Sequence, residues 1–311
     1  MVTVAVCAFR RMDWIQRSLQ SVLDQSFAEG FEVLVVDNGP GHMVSQALGQ
    51  LDLYKRVRFV RSSPAGVARA RNTALRCAQG DIVAFLDDDA IADPLWLHEL
   101  VLPYRRDARV GCAGGRIVPA FVKEAPKWLR EAYGVLAHEF AALDYGDSSM
   151  VLGAGMPLYG PNLSVRKDVA LRLGGFNESM ATPWYGFEMG EDVEFVKRCQ
   201  DAGYHAVWVP SAVVRHVVTE EKMTRAFVVR RMAARAVSAA TGKYGEKRMR
   251  QGCVLSAFLR VMVHYSIAQG LWVVGRGGRA IVHDRVWSWW WGVVVGKLVR
   301  HTGRDRLAAG G

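Results

Sequence analysis

Apolar and polar positions in the first hundred residues alternate between two patterns. Short β-branched runs, each bounded by turn residues, occur at Val2–Ala8, 31–37, 57–60 and 81–86. Between the first two runs, apolar side chains recur at helical spacing from Trp14 to Leu23. Strands that alternate with helices in this way predict an α/β fold with a mostly parallel sheet, right-handed crossovers and helices on both faces.

The remainder of the chain has a different texture. A loop-rich stretch at about 119–160 contains a helical pattern around 128–140, and a second helix is predicted from Glu191 through Gln200. Two short strands are predicted at 205–209 and 212–216. From about residue 222 the pattern becomes that of long helices, so the α/β part is followed by a C-terminal helical extension.

Charge divides the chain at the same place. The whole sequence of 311 residues has a formal net charge of +10. Residues 1–221 contain 23 basic and 27 acidic side chains, whereas residues 222–311 contain 17 basic and 3 acidic ones. This distribution argues against a uniformly basic nucleic-acid-binding protein and predicts a nearly neutral domain with a basic extension.

Cysteine usage and the N-terminal residues indicate the compartment. The five cysteines are widely spaced and form no CxxC pair, which is typical of reduced thiols in a cytosolic protein. The apolar run at Val2–Ala8 is short and meets Arg10 and Arg11 at once, unlike a signal peptide. We therefore expect a cytoplasmic location.

Acidic residues follow two of the predicted strands. Asp37 ends the second strand, and Asp87, Asp88 and Asp89 follow the fourth. Parallel sheets bind ligands beyond the carboxyl ends of their strands. Three adjacent carboxylates raise one another's pKa, and a divalent cation such as Mg²⁺ or Mn²⁺ relieves that repulsion and also binds substrate phosphates. The alternative is a solvated acidic turn.

Two further segments indicate a phosphate-bearing substrate and a side chain that acts as a general base. Arg69, Arg71 and Asn72 lie at the start of a predicted helix, where a phosphate group would bind. Glu191 and Asp192 lie at another helix N-terminus, where a carboxylate stays ionised and serves as a general base.

The order of these segments resembles glycosyltransferase family 2, the inverting nucleotide-sugar transferases of GT-A fold. The resemblance rests on the motifs VAVCAFRR, VVDNGPG, GVARARNTAL, FLDDDA, YGPNLSVRK, GGFNE and GEDVEFVKRC, which span about residues 1–217. It implies a Rossmann-like, mixed and mainly parallel sheet. We therefore expect a catalytic domain at 1–221, with donor binding at about 1–118 and the acceptor part at about 119–221, followed by the helical region 222–311.

The resemblance also implies roles for individual residues. Asp192 would be the catalytic base, with Glu191 beside it. Asp89 would be the metal ligand, with Asp87 as the alternative. His216 would approach the metal or diphosphate, the alternative being an ordinary strand histidine. The residues implied in donor binding are Ala8, Phe9, Asp37, Arg71, Asp87 and Asp88. Of these, Asp37 would bind the nucleobase and Asp88 the ribose.

Acceptor binding has weaker signals. Trp184 lies in a loop rich in aromatic residues, which favours stacking on sugar rings; simple loop packing is the alternative. Asn162 is a candidate for the acceptor wall. Arg10 stands where the family often has asparagine, which leaves the contacts of the first strand with the donor open.

The resemblance implies a non-processive, inverting transfer from a UDP-, dTDP- or GDP-sugar to a glycan or lipid-linked acceptor, as in cell-surface polysaccharide or glycoconjugate assembly. The QxxRW signature of processive synthases is absent. The alternatives are an inactive scaffold of the same fold and a sugar-phosphate nucleotidyltransferase, although the glycine-rich N-terminal loop of the latter is missing.

The basic extension has the composition of a membrane-surface segment. Residues 253–275 are long enough to cross a bilayer, but Arg260, His264 and Gln269 interrupt them. Aromatic clusters mixed with arginine suit the membrane interface, as in Trp287, Trp289, Trp290 and Trp291. We expect peripheral binding to an anionic membrane at the inner face of the cell membrane. The alternative is a helical hairpin packed on the catalytic domain or in a homo-oligomer.

Overall fold

A computed structural model describes residues 1–9, 12–48, 55–182, 187–240 and 254–301. The chain forms two compact units. The first, here called the sheet unit, comprises Met1–Ala120, Ala141–Ser179 and Glu191–Val217. The second, the helical unit, comprises Phe121–Phe140, Met180–Gly190 and Val218–Gly311.

Regular secondary structure follows the predicted alternation. The strands are β1 (Val2–Ala8), β2 (Glu32–Asp37), β3 (Val57–Arg61), β4 (Ile82–Asp87), β5 (Ala90–Ala92), β6 (Val110–Phe121), β7 (Met150–Val151), β8 (Leu163–Arg166), β9 (Ala181–Thr182), β10 (Phe187–Glu188) and β11 (His205–Val218). The helices are α1 (Met12–Leu23), α2 (Met43–Leu48), α3 (Val67–Cys77), α4 (Trp96–Arg106), α5 (Lys127–Leu136), α6 (Lys167–Arg172), α7 (Glu191–Asp201), α8 (Arg225–Ala240), α9 (Val254–Val273) and α10 (Gly277–His301).

The main sheet is mixed. Its strand order is β3-β2-β1-β4-β8-β6-β11-β5, and β7 pairs with β11. The strands β3, β2, β1 and β4 are parallel, and β8 is antiparallel to both β4 and β6. The register places Ala8 opposite Asp37 and Cys7 opposite Asp87, so the carboxyl ends of β1, β2 and β4 meet at one edge.

Helices cover both faces of this sheet. Alternate residues of β1 point to opposite sides, so Val4 and Val6 pack in one apolar core with α1 and α4, while Ala5 packs in a second core with α3. Both cores are closed to water, which is why β1 has no polar alternation. The expected GT-A-like arrangement, with additional C-terminal helices, is confirmed.

The last strand of the sheet differs from the prediction. The two short strands expected at 205–209 and 212–216 form one strand, β11. Its first half pairs with β7 around Val207, and its second half pairs with β5 around Val214. Pro210 lies between these two paired segments, so its missing N–H group interrupts neither pairing.

The helical unit has its own core. Apolar side chains of α5, α8 and α10 pack together, among them Leu129, Leu136, Val228, Met232 and Ile281. None of the helices in the described part of the chain is long and apolar enough to cross a membrane.

A buried carboxylate organises the C-terminal helices. Asp284 accepts hydrogen bonds from Arg225 Nε at 2.7 Å and Nη2 at 2.6 Å. It also accepts the indole N–H groups of Trp272 at 2.9 Å and Trp287 at 2.7 Å. Because its negative charge is paired and hydrogen-bonded on all sides, this carboxylate is tolerated in the interior.

Candidate active site

An acidic cluster lies where β4 ends. Asp87 is the last residue of β4, Asp89 precedes β5, and β5 pairs with β11 so that Ala90 lies opposite His216. Asp89 Oδ1 is 3.3 Å from His216 Nε2. One ligand atom each of Asp87, Asp89 and His216 lies within 4.8 Å of the others. Carboxylate oxygens with one imidazole nitrogen form a donor set that suits a divalent cation.

Asp88 points to the first strand instead. Its Oδ2 accepts a hydrogen bond from the backbone N–H of Phe9 at 2.9 Å, and the carboxylate is almost fully buried. Ala8 is buried next to it and accepts the N–H of Asn38 at 2.9 Å. The loops after β1, β2 and β4 are therefore tied together by hydrogen bonds at the edge of the sheet.

Asp37 is completely buried at the end of β2. Its two oxygens accept backbone N–H groups from Gly39 at 3.3 Å and from Ser45, on α2, at 2.8 Å. This carboxylate therefore holds the turn between β2 and α2. Its expected contact with a nucleobase stays a prediction.

Arg71 links two carboxylates from distant parts of the sequence. Its Nη1 donates to Glu191 Oε1 in a buried ion pair, and its Nη2 is 3.5 Å from Asp87 Oδ1. Arg71 Cζ also lies 5.6 Å from the ring centroid of Phe176. Arg71 Nε and Glu191 Oε2 are buried and form no hydrogen bond with any described residue. The guanidinium thus joins the acidic cluster to the start of α7.

Burial sets the protonation of this pair. Burial and the neighbouring Asp192 carboxylate raise the pKa of Glu191 to about 7, although the charge of Arg71 acts in the opposite direction. Burial opposes ionisation of Arg71, but the carboxylates of Glu191 and Asp87 outweigh it and raise the pKa of that guanidinium. Arg71 therefore carries its positive charge at every physiological pH.

Gly160 makes room for this arrangement. A Cβ atom at Gly160 would overlap the guanidinium of Arg71. The backbone N–H of Gly160 donates to Asp192 Oδ2 at 2.7 Å, and Asp192 Oδ1 accepts the N–H of Val193 at 2.7 Å. Sequence reasoning missed Gly160, because a glycine before a proline looks like an ordinary turn residue.

The two acceptor-side candidates fare differently. Asn162 is buried, and its amide donates to the carbonyl groups of Arg116 at 3.0 Å and Ala212 at 2.8 Å. Its Oδ1 accepts the indole N–H of Trp96 at 2.8 Å. Asn162 therefore ties α4, β6 and β11 together, and its role toward an acceptor stays a prediction. Trp184 lies outside the described residues.

Comparison with known proteins places this geometry in a family. The profile of glycosyl transferase family 2 matches residues 3–169, which is more than half of the chain. A glucosyl-dolichyl phosphate glucuronosyltransferase of Haloferax volcanii is 29% identical over 184 residues, covering 57% of this chain and 56% of that protein. The succinoglycan biosynthesis protein ExoM of Rhizobium meliloti is 26% identical over 237 residues, covering 74% of this chain and 71% of that protein.

A solved structure shares the fold. The mannosyltransferase PcManGT from Pyrobaculum calidifontis, in complex with GDP-Man and Mn²⁺, superposes with a TM-score of 0.57 at 19% identity. The superposition covers 97% of this chain and 86% of that one. With the parallel strands, the acidic cluster and the motif order in place, the chain belongs to glycosyltransferase family 2.

Proposed function

We propose that this chain is a non-processive, inverting glycosyltransferase that moves a sugar from a nucleotide diphosphate to an acceptor hydroxyl group. The observation that carries the proposal is the position of Arg71, which contacts Asp87 of the acidic cluster and Glu191 next to Asp192. The guanidinium of Arg71 therefore connects the acidic cluster, where we propose that the diphosphate binds, with Glu191, the neighbour of the proposed base Asp192. Both features are needed for direct displacement at an anomeric carbon.

The acidic cluster suits a divalent cation. Asp87, Asp89 and His216 offer two carboxylates and one imidazole with their ligand atoms close together, and Asp89 is shielded from water. These residues would hold Mg²⁺ or Mn²⁺. When bound, such an ion supplies positive charge that offsets the charge of a leaving nucleotide diphosphate. The structure of the related mannosyltransferase PcManGT contains Mn²⁺ together with GDP-Man.

Asp192 is the proposed base. Its half-buried carboxylate is held by two backbone N–H groups and retains lone pairs for a proton. In the proposed reaction it takes the proton of the acceptor hydroxyl while that oxygen attacks the anomeric carbon from the side opposite the nucleotide. The bond to the diphosphate breaks in the same step, so the configuration at the anomeric carbon inverts.

Glu191 is less suited to this role. It is buried and bonded to Arg71, and its pKa of about 7 leaves a large share of it protonated near neutrality. We therefore assign Glu191 to positioning Arg71 rather than to proton transfer. The nucleoside part of the donor would bind at the edge of the sheet that is formed by Ala8, Phe9, Asp37 and Asp88.

The acceptor is proposed to be a glycan or a lipid-linked sugar in the assembly of cell-surface polysaccharides or glycoconjugates. Two relatives of this chain are a glucosyl-dolichyl phosphate glucuronosyltransferase and a succinoglycan biosynthesis protein. A substrate of this kind would be available at the inner face of the cell membrane. The basic residues of 222–311 would bind the protein to that surface.

Donor turnover tests the proposal. The chain would be incubated with UDP-, dTDP- and GDP-sugars in the presence of Mg²⁺, Mn²⁺ or a chelator, while the release of nucleotide diphosphate is measured. We expect one of the three nucleotides to raise the melting temperature of the protein in the presence of metal. The nucleotide-sugar that contains it should be hydrolysed slowly when no acceptor is present. Absence of binding and turnover with all three nucleotides would leave the inactive scaffold as the better explanation.

A further inference from the structure

Helix α9 presents an apolar face to water. Met262, Val263, Ile267, Val273 and Val274 are 50%, 56%, 40%, 86% and 65% exposed. Ser266 and Gly270 lie among them and are exposed as well. We call these seven residues the α9 arc.

The α9 arc is continuous around the helix. At about 100° per residue, its seven positions fall within roughly 140° of one another, and none of them carries a charge. The opposite side of the helix, with Val261 and Ala268, is buried within the helical unit. Soluble proteins rarely leave a face made mostly of aliphatic side chains, without a charge, in contact with water.

The exposed charged side chains of α9 and α10 near the α9 arc are positive. Arg260, Arg276, Arg279 and Arg285 are exposed. The only acidic residue between positions 254 and 301 is Asp284, which is buried and bonded to Arg225. The surface of α9 and α10 therefore combines exposed aliphatic side chains with exposed arginines, which is the pattern of helices that lie in a membrane interface.

The tryptophan cluster is a weaker candidate for the same contact. Trp287 donates its indole N–H to Asp284, and Arg260 stacks at 4.8 Å on the half-buried ring of Trp290. Among the described tryptophans of α10, Trp291 is the exposed one, at 39%. These rings serve in part to hold the helical unit together.

We propose that the α9 arc is the membrane-contacting surface of this protein, with its aliphatic side chains among the lipid headgroups of an anionic bilayer. The proposal rests on the membrane-proximal role described above. A second copy of the chain fits this surface poorly, because pairing two arcs would bring the arginines of both copies together. An anionic lipid surface instead neutralises them while it covers the apolar residues.

Flotation of the full chain with vesicles tests the surface. The vesicles would contain phosphatidylglycerol and phosphatidylcholine, or phosphatidylcholine alone. The variant V263Q/I267Q/V274Q changes exposed positions only, and V118Q/V151Q/L171Q changes equally exposed aliphatic residues of the sheet unit. We expect the first variant to lose about tenfold or more in partitioning at all salt concentrations and the second to bind like the parent.

The arginines are tested separately. R276Q/R279Q should weaken binding to anionic vesicles about fivefold per residue at low salt and flatten its salt dependence. Hydrogen exchange should show vesicle-dependent protection of residues 262–274. Equal binding by the parent and V263Q/I267Q/V274Q, or protection at residues 286–291 alone, would overturn the assignment.

Two further outcomes are distinguishable. If the parent hydrolyses donor but does not bind vesicles, the membrane surface is refuted while the proposed transferase activity stands. If the parent is a dimer in solution and V263Q/I267Q/V274Q is a monomer, the α9 arc is an interface between copies of this chain, and the proposal is wrong.

Discussion

Arg71 and Glu191 lie 120 residues apart in the sequence, and their side chains form a buried ion pair within the sheet unit. The pair connects α3 with the first turn of α7, one residue before Asp192. Because the other amino group of Arg71 contacts Asp87, a shift of this guanidinium would disturb the acidic cluster and the proposed base together.

Gly160→Ala should displace Arg71, because the added methyl group occupies the space of the guanidinium. We expect transfer to fall by about 100-fold, as is typical when reacting groups move by an ångström, while circular dichroism shows a folded protein. Gly153→Ala is the control, since the nearest atom to its Cβ is Met156 Sδ at 4.0 Å. Similar rates in both variants would show that Arg71 tolerates displacement.

Asp192→Asn should abolish most transfer and leave donor binding intact. Asparagine has nearly the same size but cannot accept the proton, so we expect a loss of about 100- to 10,000-fold in turnover. Asp201→Asn, an exposed change on the same helix, should leave the rate unchanged. Turnover and nucleotide affinity would be measured on the same samples, and an Asp192→Asn variant that keeps its rate would point to another base.

Asp89→Ala should remove the metal-dependent part of nucleotide diphosphate binding. Calorimetry of the parent with metal and with a chelator should give different affinities, whereas the variant should bind equally weakly in both conditions. Asp93→Asn provides the control, because Asp93 pairs with Arg215 at the surface. An unchanged response of Asp89→Ala to metal would exclude Asp89 as a ligand.

Glu191→Gln should change how stability depends on pH. The pKa of folded Glu191 is about 7, above the ordinary value of 4.5, so the folded state binds more protons than the unfolded state between these pH values. The free energy of unfolding therefore contains a contribution from Glu191 that decreases as pH rises through this window and is constant above it. Gln has no such contribution.

The difference in the free energy of unfolding between parent and variant isolates the contribution of Glu191. Carboxyl groups with lowered pKa, such as Glu139 and Glu178, affect both proteins alike. We expect the stability of Glu191→Gln relative to the parent to rise between about pH 4.5 and 7, as measured by urea denaturation. A constant difference across that range would show that Glu191 titrates normally.

Local sequence patterns were sufficient for β1, β2, β3, β4, α1 and α7 of the sheet unit, whereas β5, β6 and β8 were not predicted. The run Val2–Ala8 is buried on both faces and was predicted with its exact bounds, because continuous β-branched residues between turn signals suit little else. The acidic residues were also recognisable, since carboxylates at the carboxyl ends of parallel strands are not needed for folding. The order of such segments was enough to indicate the family.

Tertiary structure decided what these residues contact. The pairing of Arg71 with Glu191, the space that Gly160 leaves for Arg71 and the closeness of His216 to Asp89 depend on chain segments more than 80 positions apart, about which local spacing carries no information. The same holds for α9 and α10. Their sequence shows which residues are apolar, but only packing around Asp284 determines that Trp287 is engaged inside while Val263 and Val274 face water.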